Sequence, residues 1–111
     1  MKRGRLVATD ELGDVATRVL FDNDRVRVWE LALAPGERSA RHRHELDYLI
    51  VFVAGDRIGV EVDASSAGPY ADSMEFDVPL GRCVFVERGG VETAVNVGNE
   101  PYREILIELK D

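Results

Sequence analysis

Cysteine is nearly absent. The 111 residues include one, Cys83, so no internal disulfide can form, and the chain suits a reducing compartment such as the cytoplasm. With no adjacent histidine to activate it, Cys83 reads as a small buried apolar residue and not as a nucleophile. Long apolar runs are missing too. The longest, Leu49 to Ala54, falls far short of the roughly 20 residues that cross a bilayer, so it is expected to be a core strand. No export signal is expected: Met1-Lys2-Arg3-Gly4-Arg5 is followed by a mixed segment with Asp10, Glu11 and Asp14 where a signal peptide would place its apolar region. Positive charge is scarce. Fourteen Lys and Arg against 21 Asp and Glu leave a formal charge of -7, and no basic run offsets it, which argues against nucleic acid as a partner.

What is present is the composition of an ordinary globular domain, 45% hydrophobic and 32% charged. No solenoid-period repeat or biased linker marks a second domain, so residues 1–111 are read as one domain, with an extension at 1–17 and a core from about Arg18. Helix has little room. From Arg18 the chain runs as short apolar segments: Val19 to Phe21, Val26 to Ala34, Tyr48 to Ala54, Ile58 to Val62, Met74 to Val78, Val84 to Glu87, Thr93 to Val97 and Arg103 to Leu109. Turn formers separate them, the pattern of an all-β sandwich or barrel. Gly55-Asp56 reads as a tight two-residue hairpin, and Ala64 to Ser73, with Pro69, as a long loop dividing the strands into two sets.

Strand alternation assigns faces, because side chains two apart share a side. His42, His44, Leu46, Tyr48, Ile50 and Phe52 share one parity and are expected inside. Arg41, Arg43, Glu45 and Asp47 share the other. In the last strand Ile105, Ile107 and Leu109 are expected inside, with Glu104, Glu108 and Lys110 in solvent. Two histidines at i and i+2 on a strand point the same way and can reach one divalent ion.

The spacing around them resembles the first motif of the cupin superfamily: glycine, five residues, HxH, three or four residues, glutamate, six residues, glycine. Gly36, His42, His44 and Gly55 match it, while Tyr48 stands at the glutamate position. The second motif has a glycine, five residues, P-x-G, two residues, a histidine, three residues and an asparagine. Gly81, Gly89 and Asn96 match, with Glu87 in place of the proline and Glu92 in place of the histidine. A register shifted by one puts Thr93 at that histidine position instead. Alternation favours the shift, because Val91, Thr93, Val95 and Val97 form the more apolar face. In neither register is there a third histidine. The stretch His42 to Tyr48 and the closing Glu104 to Leu109 also look like short stand-alone cupins linked to β-alanine degradation.

The resemblance implies an all-β, double-stranded β-helix (jelly-roll) barrel and a homodimer paired through sheet edges. It also implies a divalent metal ion (Fe, Mn, Ni or Zn) on His42 and His44. Glu92, in the unshifted register, would complete a two-histidine, one-carboxylate set. Tyr48, Thr93, Phe52 and Arg38 are the candidate pocket residues, Arg38 as a cation for a carboxylate ligand. Two readings stay open. One is a metal-dependent enzyme on a small polar or carboxylate metabolite; the other is a metal-free binding or accessory protein with a degenerate site.

Overall fold

Period-two alternation is strongest in the two longest strands, and they sit side by side at the centre of the larger sheet. In this computed structural model, residues 11–111 are described; Met1 to Arg5 and Asp10 lie outside them. Nine strands follow in order: β1 (Arg18–Asp22), β2 (Val26–Leu33), β3 (His42–Arg43), β4 (Tyr48–Ala54), β5 (Arg57–Val62), β6 (Met74–Asp77), β7 (Cys83–Val86), β8 (Val91–Asn96) and β9 (Tyr102–Leu109). They form a five-stranded sheet ordered β1-β2-β9-β4-β7 and a four-stranded sheet ordered β3-β8-β5-β6, paired antiparallel throughout. The described residues contain no helix, and none long and apolar enough to cross a membrane.

The two sheets enclose a core of Trp29, Leu31, Leu33, Tyr48, Phe52, Ile58, Val86, Tyr102 and Leu106. Val15 and Ala16, ahead of the first strand, are buried in the same cluster. Sequestering this apolar surface from water is the main force holding the sheets together.

All eight expected apolar runs are strands. β3 was hidden, because two residues are too few for a periodic signal. The Gly55-Asp56 hairpin is not formed: β4 and β5 lie in different sheets, so the pair is a corner between layers. Gly55 takes a positive φ of 125°, and a Cβ there would stand 2.9 Å from the Tyr102 ring, so glycine is required. The Asp56 carboxylate accepts backbone N–H bonds from Arg57, Asn99 and Glu100. It thereby ties this corner to the turn between β8 and β9. The long loop after β5 leads into β6 of the same sheet, so it does not divide the strands into two sets.

Two face assignments are reversed. In β9 the buried side chains are Tyr102, Glu104, Leu106 and Glu108, while Ile105, Ile107 and Leu109 are half-buried on the outer face. Pairing across the sheet sets this phase, since Leu106 lies opposite Trp29 and Ile50, both on the inner side. The inward carboxyls are tolerated because each has a donor: the Trp29 Nε1–H donates to Glu108 at 2.8 Å, and the Tyr102 hydroxyl donates to Glu104. In β8, Glu92, Ala94 and Asn96 face inward. The Asn96 amide donates to the Leu33 and Glu100 carbonyls, which offsets its burial. Cys83, expected inside, is exposed, because it has the outward parity of edge strand β7 along with Phe85.

Candidate functional site

β3 and the chain just after it carry the two histidines to the start of β8. His42 lies opposite Glu92 in the β3–β8 ladder. The ladder is extended by the His44 N–H donating to the Gly90 carbonyl and the Gly89 N–H donating to the His44 carbonyl, each at 2.8 Å. Both imidazoles are buried. The His42 Nδ1–H donates to the Ala40 carbonyl at 2.8 Å, which fixes the tautomer of the neutral ring and leaves the Nε2 lone pair facing the cavity. Nε2 of His44 lies 3.2 Å away, and Oε1 of Glu92 is 3.3 Å from that second nitrogen. All three ligand atoms fall within 4.8 Å of one another.

Burial holds the His42 imidazole below the usual histidine range, and His44 adds to the effect. Neutral His42 therefore prevails at pH 7, the form that binds a metal. The His44 ring stacks on Tyr48, with centroids 4.0 Å apart and planes 19° from parallel. That contact orients it in place of a hydrogen bond, for its Nδ1 is buried with no partner among the described residues.

No family model matches the chain, and no curated protein resembles it in sequence. Solved structures do resemble it in fold. A cupin domain protein from Bordetella pertussis superposes with a TM-score of 0.73 at 24% identity, over 85% of this chain and 91% of that one. The chain has the cupin fold. An RmlC-like cupin with a double-stranded β-helix from Methanocaldococcus jannaschii aligns at 11% identity over 88% of this chain and 94% of its own, TM-score 0.63. The DMSP lyase DddQ from Ruegeria pomeroyi aligns at 15% identity over 80% of this chain and 40% of its own, TM-score 0.56.

Within this cupin barrel the sequence-predicted residues part company. His42, His44, Glu92, Tyr48 and Phe52 line one cavity. Thr93 does not: it is on the opposite face of β8 from Glu92, so the unshifted motif register describes the barrel. Alternation misled because the apolar side of β8, with Val95 and Val97, lines an outer groove with Gly59, and the polar side is the one that faces the cluster. Arg38 also lies away from the cavity, its guanidinium paired with Glu61 at the surface. Its segment runs along the edge of the four-stranded sheet beside β8, continuing the line of β3, where it bridges to Val95.

Sequence reasoning missed Glu104, which lines the same cavity. Burial pushes its carboxyl up to about 7; Glu92 nearby adds to the rise and the Tyr102 hydroxyl bond opposes it. Burial likewise raises the Tyr48 and Tyr102 hydroxyls above the usual tyrosine range, so both stay protonated. The inward phase of β9 was the missing signal, and only its pairing with β2 and β4 reveals it.

The residues present fit a divalent ion. Ligand atoms bonded at about 2.0–2.2 Å to one centre lie roughly 3 Å apart; the His42–His44 and His44–Glu92 separations of 3.2 and 3.3 Å match, and the His42–Glu92 pair lies within 4.8 Å. Gly89-Gly90 makes the room: a Cβ on Gly90 would stand 3.0 Å from Oε2 of Glu92.

Proposed function

We propose that this chain is a small-molecule cupin enzyme in which His42, His44 and Glu92 hold one divalent metal ion. The observation that carries the reading is the convergence of two buried imidazoles and a carboxylate within 4.8 Å. Such an ion, when bound, supplies polarisation of a ligand oxygen and open coordination positions. The chain's own residues supply the rest. Tyr48 and Phe52 wall the cavity against water, and Glu104 holds or releases a proton at its carboxyl near neutral pH, with Tyr102 fixing that group's position. A DMSP lyase of the same fold is in keeping with an enzymatic role, although the fold serves many chemistries.

A non-catalytic binding protein is the second reading. Tyr48 favours it, because this side chain stacks on His44 where the motif resemblance places a fourth protein ligand. Metal analysis of tag-free protein separates the two. Near-stoichiometric metal, lost in His42→Ala and His44→Ala and weakened at least about ten-fold in Glu92→Gln, is the expected result. Folded wild-type protein that takes up no divalent ion overturns the enzyme reading. We further propose that two copies pair through β1, an edge strand with Val19, Leu20 and Phe21 exposed, in a cytoplasmic setting that suits the free thiol of Cys83.

A further inference from the structure

The five-stranded sheet turns one face to the core, and its other face is apolar from edge to edge. Cross-strand partners place Phe21, Val28, Ile107, Leu49 and Phe85 in one row over β1, β2, β9, β4 and β7. The next row continues it with Ile105 and Val51. At the far edge Phe85 is 54% exposed. Charge sits at the margins. Within the strands, the charged side chains on this face are Arg18, Glu30 and Arg103, and Glu30 pairs with both arginines. Beyond the opposite strand ends, Arg88 pairs with Asp47 and Asp111. An apolar centre inside a polar rim is the make-up of a protein interface.

At about 3.4 Å per residue and about 4.8 Å between strands, these five strands present a face of about 500 Å². Two copies packed face to face would bury about 1,000 Å² before side-chain relief is counted, about the area at which a specific interface begins. The charges bordering this face are compensated within each copy, so an identical face meets no unpaired like charge there despite the formal charge of -7. A partner recognised by its charge would find none to read. We infer that the outer face of the five-stranded sheet is covered by the same face of a second copy, packed sheet on sheet. The inference rests on the proposed pairing of two copies, and it extends their contact from β1, through Phe21, to the far strand β7.

Face packing and strand addition at the β1 edge are separable. Phe85 lies four strand spacings from β1, about 19 Å away, out of reach of a strand added at that edge. Sedimentation equilibrium of the full-length protein is expected to give a dimer for wild type and folded monomers for Phe85→Lys and, independently, Leu49→Lys, with the dissociation constant raised at least about 100-fold. If Leu49→Lys fails to melt cooperatively, Phe85→Lys decides alone, because its side chain already stands half in solvent. Val97→Lys, on the outside of the four-stranded sheet, should stay dimeric; a monomer there would move the contact to the other sheet and overturn the inference. A dimer that survives Phe85→Lys and Leu49→Lys but is lost in Phe21→Lys also overturns it, and leaves the β1 pairing standing. Loss of the dimer in Phe85→Lys with Phe21→Lys still dimeric sinks only the β1 contact. A strictly monomeric wild type overturns both, and shielding of its Ile105 and Ile107 methyls from a soluble paramagnetic probe would then assign the face to the chain's own residues 1–10.

Discussion

Glu104 shows how one buried carboxyl couples the cavity to pH. Its ordinary value is 4.5, and in the folded protein it titrates at about 7. Between those values the native state keeps a proton that the unfolded chain has released, so stability falls as pH rises through the window and levels off above about 7. Glu92 on β8 and the hydroxyl of Tyr102 face this carboxyl, with Tyr48 across the cavity. Glu104→Gln keeps the shape and removes the charge. In chelator-treated protein, the variant's stability relative to wild type should rise from pH 5 to pH 8 by up to roughly 3 kcal/mol, read from urea midpoints. A difference that stays constant over that range would show that Glu104 is ionised throughout. At this scale the histidines were legible from their i, i+2 spacing. Glu104 was not, because a glutamate alternating with isoleucines carries the pattern of a solvated face, and the Tyr102 bond that reconciles it with the interior is invisible until the strands are paired.

At the scale of elements, the approach of Gly89-Gly90 to the loop after β5 sets the room available to the cluster. A Cβ on Gly68 would stand 2.5 Å from the Gly90 backbone nitrogen, and one on Gly90 would press on Glu92 and, at 3.8 Å, meet the edge of the His44 ring. Gly90→Ala should therefore fold but displace the Glu92 carboxylate. Metal affinity is expected to fall by roughly ten-fold, measured by competition with a chromogenic chelator; unchanged affinity would mean that Glu92 is not held by this contact. The strands were legible from short apolar runs between turn formers. Their partners were not: Gly55-Asp56 has the composition of a hairpin, and only the Tyr102 ring against Gly55 and the Asn99 and Glu100 amides on Asp56 make it a corner.

At the scale of the whole molecule, β1 is an edge strand among the described residues, hydrogen-bonded to β2 on one side with Phe21 53% exposed. Unpaired edges of this kind invite a second strand. Light scattering should give twice the 12.4 kDa chain mass, and Phe21→Lys should yield a folded monomer. A strict monomer at high concentration would remove the dimer. The cupin architecture was legible from the glycine and histidine spacings, while the closing surface depends on which strand ends up at an edge.

The Asp56 corner has a mechanical consequence. Both crossings between the sheets at that end, β4 to β5 and β8 to β9, are bound to one carboxylate. The histidine end is clasped in the same way: the Asp47 carboxylate, between β3 and β4, accepts the Arg88 backbone N–H at 2.9 Å and its Nε–H at 3.1 Å, between β7 and β8. One aspartate at each end therefore fastens two crossings, like a hasp at either edge of a box, so that losing one of them leaves the layers joined at the other.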